Sequence, residues 1–424
     1  MSHLLKKTML TLCCSGALFL TACNDNDNDD YQKPPGLNNY IKEIPYVKDR
    51  LANAASIKVM TYTMKNVQGK MADATALVFY PKTAKPKDGW RVVVWEHGTV
   101  GVGDSCAPSN TLIGENFGEL AQDLLAAGYI IIAPDYEGLG TRGIHPYLNL
   151  QSEAESALAA VTAYKAKYGK DLNGAWMSAG QSQGGQASLG TAEYANTDPT
   201  YKGAVAGAPA SSLGEIILEV APTELRKIEV LENQAQQPLQ DRNSVTSYAT
   251  LLSYAALTGI GIKAYEPGFE YRDLFQLRAK GLAALGEGST GENGMCLNNA
   301  DPSQSLIQNF KVDIIDYMQK YPGTSVMDYP GLDEAHFKND KSVEKFLVDS
   351  QPGTKRIDKP VYIIQGTADT NVPASMTQNV VAELKRLGSP DIRVDYVVGA
   401  SHTAAIKIRR PEVVAFIQQH MPAQ

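Results

Sequence analysis

No block of lysine or arginine stands out anywhere in the sequence. The net charge is −7 and the pI lies near 5.5. Such a chain has little with which to neutralise a phosphate backbone, which argues against a nucleic-acid partner. Metal-ligand spacing is also missing. No set of His, Cys, Asp and Glu residues has zinc spacing, and no Gly-rich phosphate loop follows a strand. No cofactor and no metal are therefore implied. There is no internal repeat, which sets aside the repeat architectures. Cysteine is scarce, five in 424 residues, so each one has to be placed. The remainder is ordinary for a globular protein: 43% hydrophobic and 20% charged. The length suits one large domain with an insertion, or two domains.

The start of the chain stands apart. Lys6 and Lys7 form a basic region, and residues 8–20 form an apolar run too short to span a bilayer. Leu20-Thr21-Ala22-Cys23 resembles a bacterial lipobox. That resemblance implies cleavage before Cys23 and acylation of its thiol and new amino group. The alternative is an ordinary secretory signal cleaved after Ala22. Residues 24–30 are all Asn or Asp, an acidic tether that cannot bury a core. Acyl chains on such a tether would hold the protein at a membrane surface. The expected location is a bacterial cell envelope, with Asn24 after the lipid cysteine pointing by analogy to the outer membrane. Without the lipid, the protein would be periplasmic or secreted. Cys13 and Cys14 leave with the signal. Cys106 and Cys296 remain, either as a disulfide in an oxidising compartment or as two buried thiols.

Read in order, the rest alternates between strand and helix patterns. Residues 57–65 place Ile57, Val59, Thr61 and Thr63 on one side, and a turn at Gln68-Gly69 leads to a second strand over 74–80. Val92-Val93-Val94-Trp95 is a continuous apolar run, as a central strand buried on both faces requires. A helix over 116–127 stops at Gly128. The next strand, 129–133, ends in Pro134-Asp135-Tyr136-Glu137-Gly138. Ser152 is expected to cap a helix reaching about Tyr168. Strands over 175–179 and 204–207 flank a helix over 186–194. This spacing predicts an α/β fold, a mostly parallel central sheet covered by helices on both faces.

From 213 to 345 the pattern breaks into helices and Gly-rich loops without a central strand. Tyr248, Tyr254, Tyr265, Phe269, Tyr271 and Phe275 fall here, either lining an acyl pocket or forming the core of a helical cap. The sheet resumes at 361–364 and ends with a strand over 392–398, followed by a C-terminal helix. The expected organisation is therefore a signal peptide (1–22), a tether (23–40), a core (41–212), a cap (213–345) and the rest of the core (346–424).

The chemistry centres on Gly180-Gln181-Ser182-Gln183-Gly184, set between a strand and a helix. A serine on so sharp a turn needs small neighbours, and the two glycines supply room. Asp369, in Gly366-Thr367-Ala368-Asp369, follows a buried-strand pattern, and His402 follows the last strand. All three fall where strand ends deliver them to one edge of a parallel sheet. Asp369 could instead make only an Asx turn, and His402 could be a packed or surface histidine.

The order Ser, Asp, His resembles that of the α/β-hydrolase fold, over nearly all of the mature chain. More narrowly, four segments are similar to the secretory lipase family of bacteria and fungi. They are Trp95-Glu96-His97-Gly98-Thr99-Val100-Gly101, Cys106-Ala107-Pro108-Ser109, Asp135-Tyr136-Glu137-Gly138-Leu139-Gly140 and Gly180-Gln181-Ser182-Gln183-Gly184-Gly185. That family carries a large helical cap between nucleophile and acid, and the span from Ser182 to Asp369 leaves room for one. Glu96 departs from the pattern, which has a small residue there. The tether and lipobox are not general features of the family.

The resemblance implies a serine carboxylic-ester hydrolase, a lipase or a shorter-acyl esterase, acting on an ester or lipid. Ser182 would be the nucleophile, His402 its base, and Asp369 the group that fixes the His402 tautomer. The oxyanion would take the N–H of Gln183 and a second donor from Thr99 or Gly98. His97 is expected to shape the oxyanion loop and Asp135 to order its turn. A serine peptidase of the prolyl or dipeptidyl type, or an acyltransferase, could use the same triad. Glu96 and Glu137 keep the peptidase open as carboxylates that could bind a free terminus. A non-catalytic binding protein on the same scaffold is the third reading.

Overall fold

The computed structural model describes residues 39–423. The expected signal, Cys23 and most of the tether lie outside the described residues.

Nine strands form one sheet in the order β1-β2-β3-β5-β4-β6-β7-β8-β9. They are β1 (Tyr40–Pro45), β2 (Ala54–Lys65), β3 (Met71–Pro81), β4 (Trp90–Glu96), β5 (Tyr129–Pro134), β6 (Leu172–Gln181), β7 (Tyr201–Gly207), β8 (Val361–Gly366) and β9 (Ile392–Val397). From β5 to β9 every pairing is parallel, while β1, β2 and β3 join antiparallel at one side. The expected hairpin is β2 and β3, which pair from Lys65↔Met71 onward. Its partner β1 contains the last residue assigned to the tether, Tyr40, and Asn39 just before it is tied down as well. The Asn39 amide donates to the carbonyls of Thr63 and Ala159.

Burial explains the parallel half. β5 and β8 are buried at every position, and β4 at all but its first. Each such Val, Ile or Leu contributes roughly 1.5–3 kcal/mol relative to exposure. Helices α1 (Glu115–Ala126), α2 (Leu150–Tyr168) and α3 (Gln183–Tyr194) follow β4, β5 and β6. One face of the sheet packs on α2 and α3, where Ala157, Ala160 and Ala192 let the backbones come close. The other face takes Leu120, Leu124 and Leu125 of α1. The cap of α2 is Asn149 rather than Ser152. Its side chain accepts from the Ser152 N–H at 3.0 Å, so Ser152 already lies within the first turn.

Between β7 and β8 the chain inserts helices and turns, with isolated β-bridges but no strand of the sheet. The α-helices are α4 (Leu213–Glu215), α5 (Ala221–Gln234), α6 (Asn243–Tyr265), α7 (Leu277–Glu287), α8 (Leu306–Lys320), α9 (Glu334–Asn339) and α10 (Lys341–Asp349). The expected boundary at residue 345 falls inside α10. Helix α6 is the axis of this cap. It is long and apolar enough to cross a membrane, yet 83% of its most apolar stretch is buried inside the molecule. Tyr248, Tyr271 and Phe275 are buried in the cap's core. The sheet is completed by α11 (Ala374–Arg386) after β8, and by α12 (Ala404–Ile408) and α13 (Arg410–His420) after β9.

Candidate active site

β6 ends at Gln181 and α3 begins at Gln183, leaving Ser182 alone at the corner with φ 62° and ψ −120°. A non-glycine residue held there stores roughly 1–3 kcal/mol. The surroundings hold it by hydrogen bonds. The Ser182 N–H donates to the Gly207 carbonyl at 2.8 Å, and its own carbonyl accepts from Gln186 N–H at 3.0 Å. The flanking glycines are steric necessities. A Cβ on Gly180 would lie 2.0 Å from the Gly184 carbonyl oxygen, and one on Gly184 would lie 1.8 Å from that of Glu96.

The strand ends bring Asp369 and His402 to the same corner. His402 Nε2 lies 2.8 Å from Ser182 Oγ, and His402 Nδ1 lies 2.7 Å from Asp369 Oδ2. Asp369 also makes the Asx turn that was its alternative role. Its Oδ1 accepts from the N–H groups of Asn371 and Val372 at 2.8 and 2.9 Å, leaving Oδ2 for the imidazole. Gln365, at the end of β8, donates to Oδ2 at 3.0 Å and takes a hydrogen bond from Thr377 at 2.6 Å. Ser182 is 9% exposed and Asp369 6%, so the cluster sits in a largely water-excluded place.

Gln183 and Thr99 both line a narrow cavity of about 70 Å³ that also exposes Ser182. Gly98 does not line it. Gln183 opens α3, where backbone N–H groups lack helical partners and the helix dipole is positive. Its side chain is anchored beneath. Nε2 donates to Glu153 Oε1 at 2.7 Å and to His145 Nε2 at 3.1 Å. His145 Nδ1–H donates to the Glu137 carbonyl at 2.9 Å. Burial pushes the His145 imidazole down to about 3, so it is neutral and its Nε2 is free to accept. Burial pushes the Glu153 carboxyl up to about 8. Thr99 Oγ1 and Tyr147 OH are 2.7 Å apart. Sequence reasoning missed Gln365, His145, Glu153 and Tyr147. Gln365 had a signal, a polar residue closing an otherwise apolar strand. The other three had none, because residues far apart in the chain meet only in the fold.

The loop that follows β4 is pinned on both sides. His97 Nδ1 donates to the Gly98 carbonyl at 2.7 Å, and Tyr136 OH donates to the His97 carbonyl at 3.1 Å. Burial lowers the His97 pKa. Asp135 accepts from Thr75 Oγ1 and the Ser109 N–H at 2.6 and 2.9 Å, and burial pushes its carboxyl up to about 6. Cys106 and Cys296 are joined as a disulfide, with Cα atoms 5.4 Å apart. Beside the bridge, Leu297 N–H donates to the Val100 carbonyl at 2.8 Å, tying the cap to this loop again. Gly103 is packed so tightly that a Cβ would lie 2.3 Å from the Gly294 carbonyl oxygen.

The cap roofs the cavity with Leu213, Ile216, Leu251, Tyr254, Phe337 and Phe346. Of the six aromatics considered from the sequence, only Tyr254 lines it. Glu96 does not reach it. Its carboxyl is fully buried beneath α3, accepts from Thr191 Oγ1 at 2.7 Å, and is pushed well up by burial. Glu137 is buried too, accepting from Ser152 Oγ at 2.5 Å and Val67 N–H at 3.0 Å. Among the described residues, no group of three or more His, Cys, Asp or Glu side chains is placed to hold a metal ion.

No protein-family model and no curated protein matches this chain. Solved structures do. The ligand-bound rice cell wall degrading esterase LipA of Xanthomonas oryzae superposes with a TM-score of 0.63 at 16% identity, over 91% of this chain and 98% of that one. Candida antarctica lipase A in its closed state superposes with a TM-score of 0.63 at 17% identity, over 90% of this chain and 82% of that one. At these identities the likeness is one of fold, that of the α/β-hydrolases, and in this chain the helical insertion lies between β7 and β8.

Proposed function

We propose that this protein is a serine carboxylic-ester hydrolase, a lipase or esterase, working through Ser182, His402 and Asp369. The observation that carries this is the pair of contacts, 2.8 and 2.7 Å, linking a serine on a strained elbow to an imidazole and a carboxylate. The similar folds of an esterase and a lipase support it. Ser182 Oγ attacks the ester carbonyl while His402 Nε2 takes its proton. Asp369 keeps the proton on Nδ1 and stabilises the imidazolium. The tetrahedral oxyanion faces the N–H groups of Gln183 and Thr99, each such donor being worth about 3 kcal/mol. Collapse releases the alcohol, protonated by His402, and leaves an acyl-enzyme. Water, deprotonated by His402, then frees the acid and restores Ser182. The apolar cavity suits the acyl chain. The peptidase reading loses its footing, because Glu96 and Glu137 are buried and engaged elsewhere.

A fluorophosphonate should label Ser182 alone. Ser182→Ala should stay folded by circular dichroism and keep less than about one part in a thousand of the esterase rate. Label on another serine, or greater residual turnover, would overturn the assignment.

The start of the sequence supports export and a lipid anchor at Cys23, in the outer membrane of a bacterial envelope. The tether carries no chemistry. Cys23→Ser should therefore move the protein from the membrane to the soluble fraction of its host with unchanged activity on soluble esters. A wild-type protein found soluble after cell fractionation would remove the anchor.

A further inference from the structure

A second apolar cavity of about 210 Å³ opens close to the same site and shares no lining residue with the first. The two divide the machinery residue by residue. Thr99, Ser182 and Gln183 line the first, while Gly98, Gln181 and Thr403 line the second. Each of the latter three is the chain neighbour of Thr99, Ser182 or His402. The walls are Leu77, Ile113 and Ile406, with Trp95 and Phe117 stacked at 4.9 Å. Gly98 itself adds no side chain here; a Cβ there would lie 3.2 Å from Gln181 Oε1 and 3.6 Å from the Ser182 Cβ.

The chemistry assigns the occupant. In ester hydrolysis the carbonyl oxygen turns to the backbone donors and the leaving oxygen turns to the imidazole that protonates it. Donors line the first cavity. The second is lined by the residue after His402 and by Gln181, whose side-chain amide donates to the His402 carbonyl at 3.2 Å. Its rim cations are already neutralised. Lys407 lies 3.3 Å from Glu115 and 3.5 Å from Glu119, and Arg410 lies 2.6 Å from Asp123. No unpaired charge is left there to select an anionic group. We propose that this cavity binds the alcohol portion of the substrate, so that the enzyme takes neutral esters apolar on both sides of the scissile bond.

This inference rests on the ester-hydrolase reading, and the experiment separates the two. Acetate esters of methanol, butanol, hexanol and octanol keep the acyl group constant. The expected kcat/KM rises about fourfold for each methylene that enters the cavity, until the cavity is full. Ile113→Trp, which fills the cavity, should flatten the series. Leu112→Trp at the mouth should do the same, and Leu112 is 69% exposed, so this change does not threaten the core. A wild-type series flat in alcohol length overturns the inference while the hydrolase stands. A rise that survives both tryptophans also overturns it, since the chain then lies elsewhere. If none of the four esters is cleaved, the hydrolase reading falls and takes this one with it.

Discussion

At Gly184 there is no room for one methyl group. A Cβ there would lie 1.8 Å from the Glu96 carbonyl oxygen and 2.8 Å from that of His97, backbone atoms at the buried end of β4 and just after it. Nothing flexible can yield, so Gly184→Ala should displace either α3 or β4. The expected result is insoluble protein, or soluble protein that no longer reacts with a fluorophosphonate. A variant with native thermal unfolding and wild-type labelling rate would show that the elbow tolerates what its geometry forbids. The elbow was readable because strain restricts residue choice: only glycine fits at 180 and 184. The approach of Asp369 and His402 to Ser182 was readable for a related reason, since each follows a strand of one parallel sheet. Anchors such as His145 and Glu153 were not. Any buried polar residue could fill such a position, and which one does depends on long-range packing.

At the level of elements, the buried parallel strands announce themselves by continuous apolar runs, whereas β1 does not. Its sequence, Tyr-Ile-Lys-Glu-Ile-Pro, is an edge strand with mostly exposed side chains, and edge strands carry charge and proline to discourage further pairing. The sequence pattern predicts no strand here, and the expected end of the tether at residue 40 falls on its first position. The cap was visible as a break in strand rhythm, but the packing about its axis was not, because α6 is buried on nearly all sides and has no periodic signature. The disulfide is the element-scale device most open to test. It closes a span of 190 residues, for which chain entropy gives roughly 5 kcal/mol, an upper figure. Cys296→Ala should therefore lower stability in urea by several kcal/mol, up to about that value. It should also lower kcat more than it raises KM, because the loosened segment carries Thr99, the proposed oxyanion donor, and such a donor acts in the transition state. Bonds such as Asp104 N–H to the Glu292 carbonyl at 2.7 Å keep the cap docked, so folding should persist. Urea curves that superpose on the wild type would mean the bridge constrains nothing.

For the molecule as a whole, the buried titratable groups predict how stability varies with pH. Glu153 is held neutral in the fold, its pKa raised from 4.5 to about 8 by burial. Between those values the folded state binds a proton that the unfolded chain has lost. Its contribution is therefore full below pH 4.5 and disappears as pH rises through about 8. His145 works in the opposite sense. Burial lowers it from 6.5 to about 3, so the unfolded chain takes the proton first. Its contribution is full above pH 6.5 and is lost as pH falls toward about 3. His97, also lowered by burial, adds to the acid side. Where the two windows overlap, from 4.5 to 6.5, the opposing slopes largely offset each other. Asp135, raised from 3.8 to about 6, opposes His97 there, and Glu96, raised well above its ordinary range, tips the balance toward lower pH. Stability should thus peak on the mildly acidic side and decline on the way to about pH 8. One such group contributes a slope of at most about 1.4 kcal/mol per pH unit. Glu153→Gln keeps an acceptor for Gln183 and the Leu148 N–H but has no proton to lose. In urea unfolding between pH 6.5 and about 8, the variant should lose less stability than the wild type. The decline should not vanish altogether, because burial also raises Glu96 well above its ordinary range. Parallel pH profiles for the two proteins over that window would mean that Glu153 is ionised in the fold, beside an amide that donates to it and a neutral imidazole.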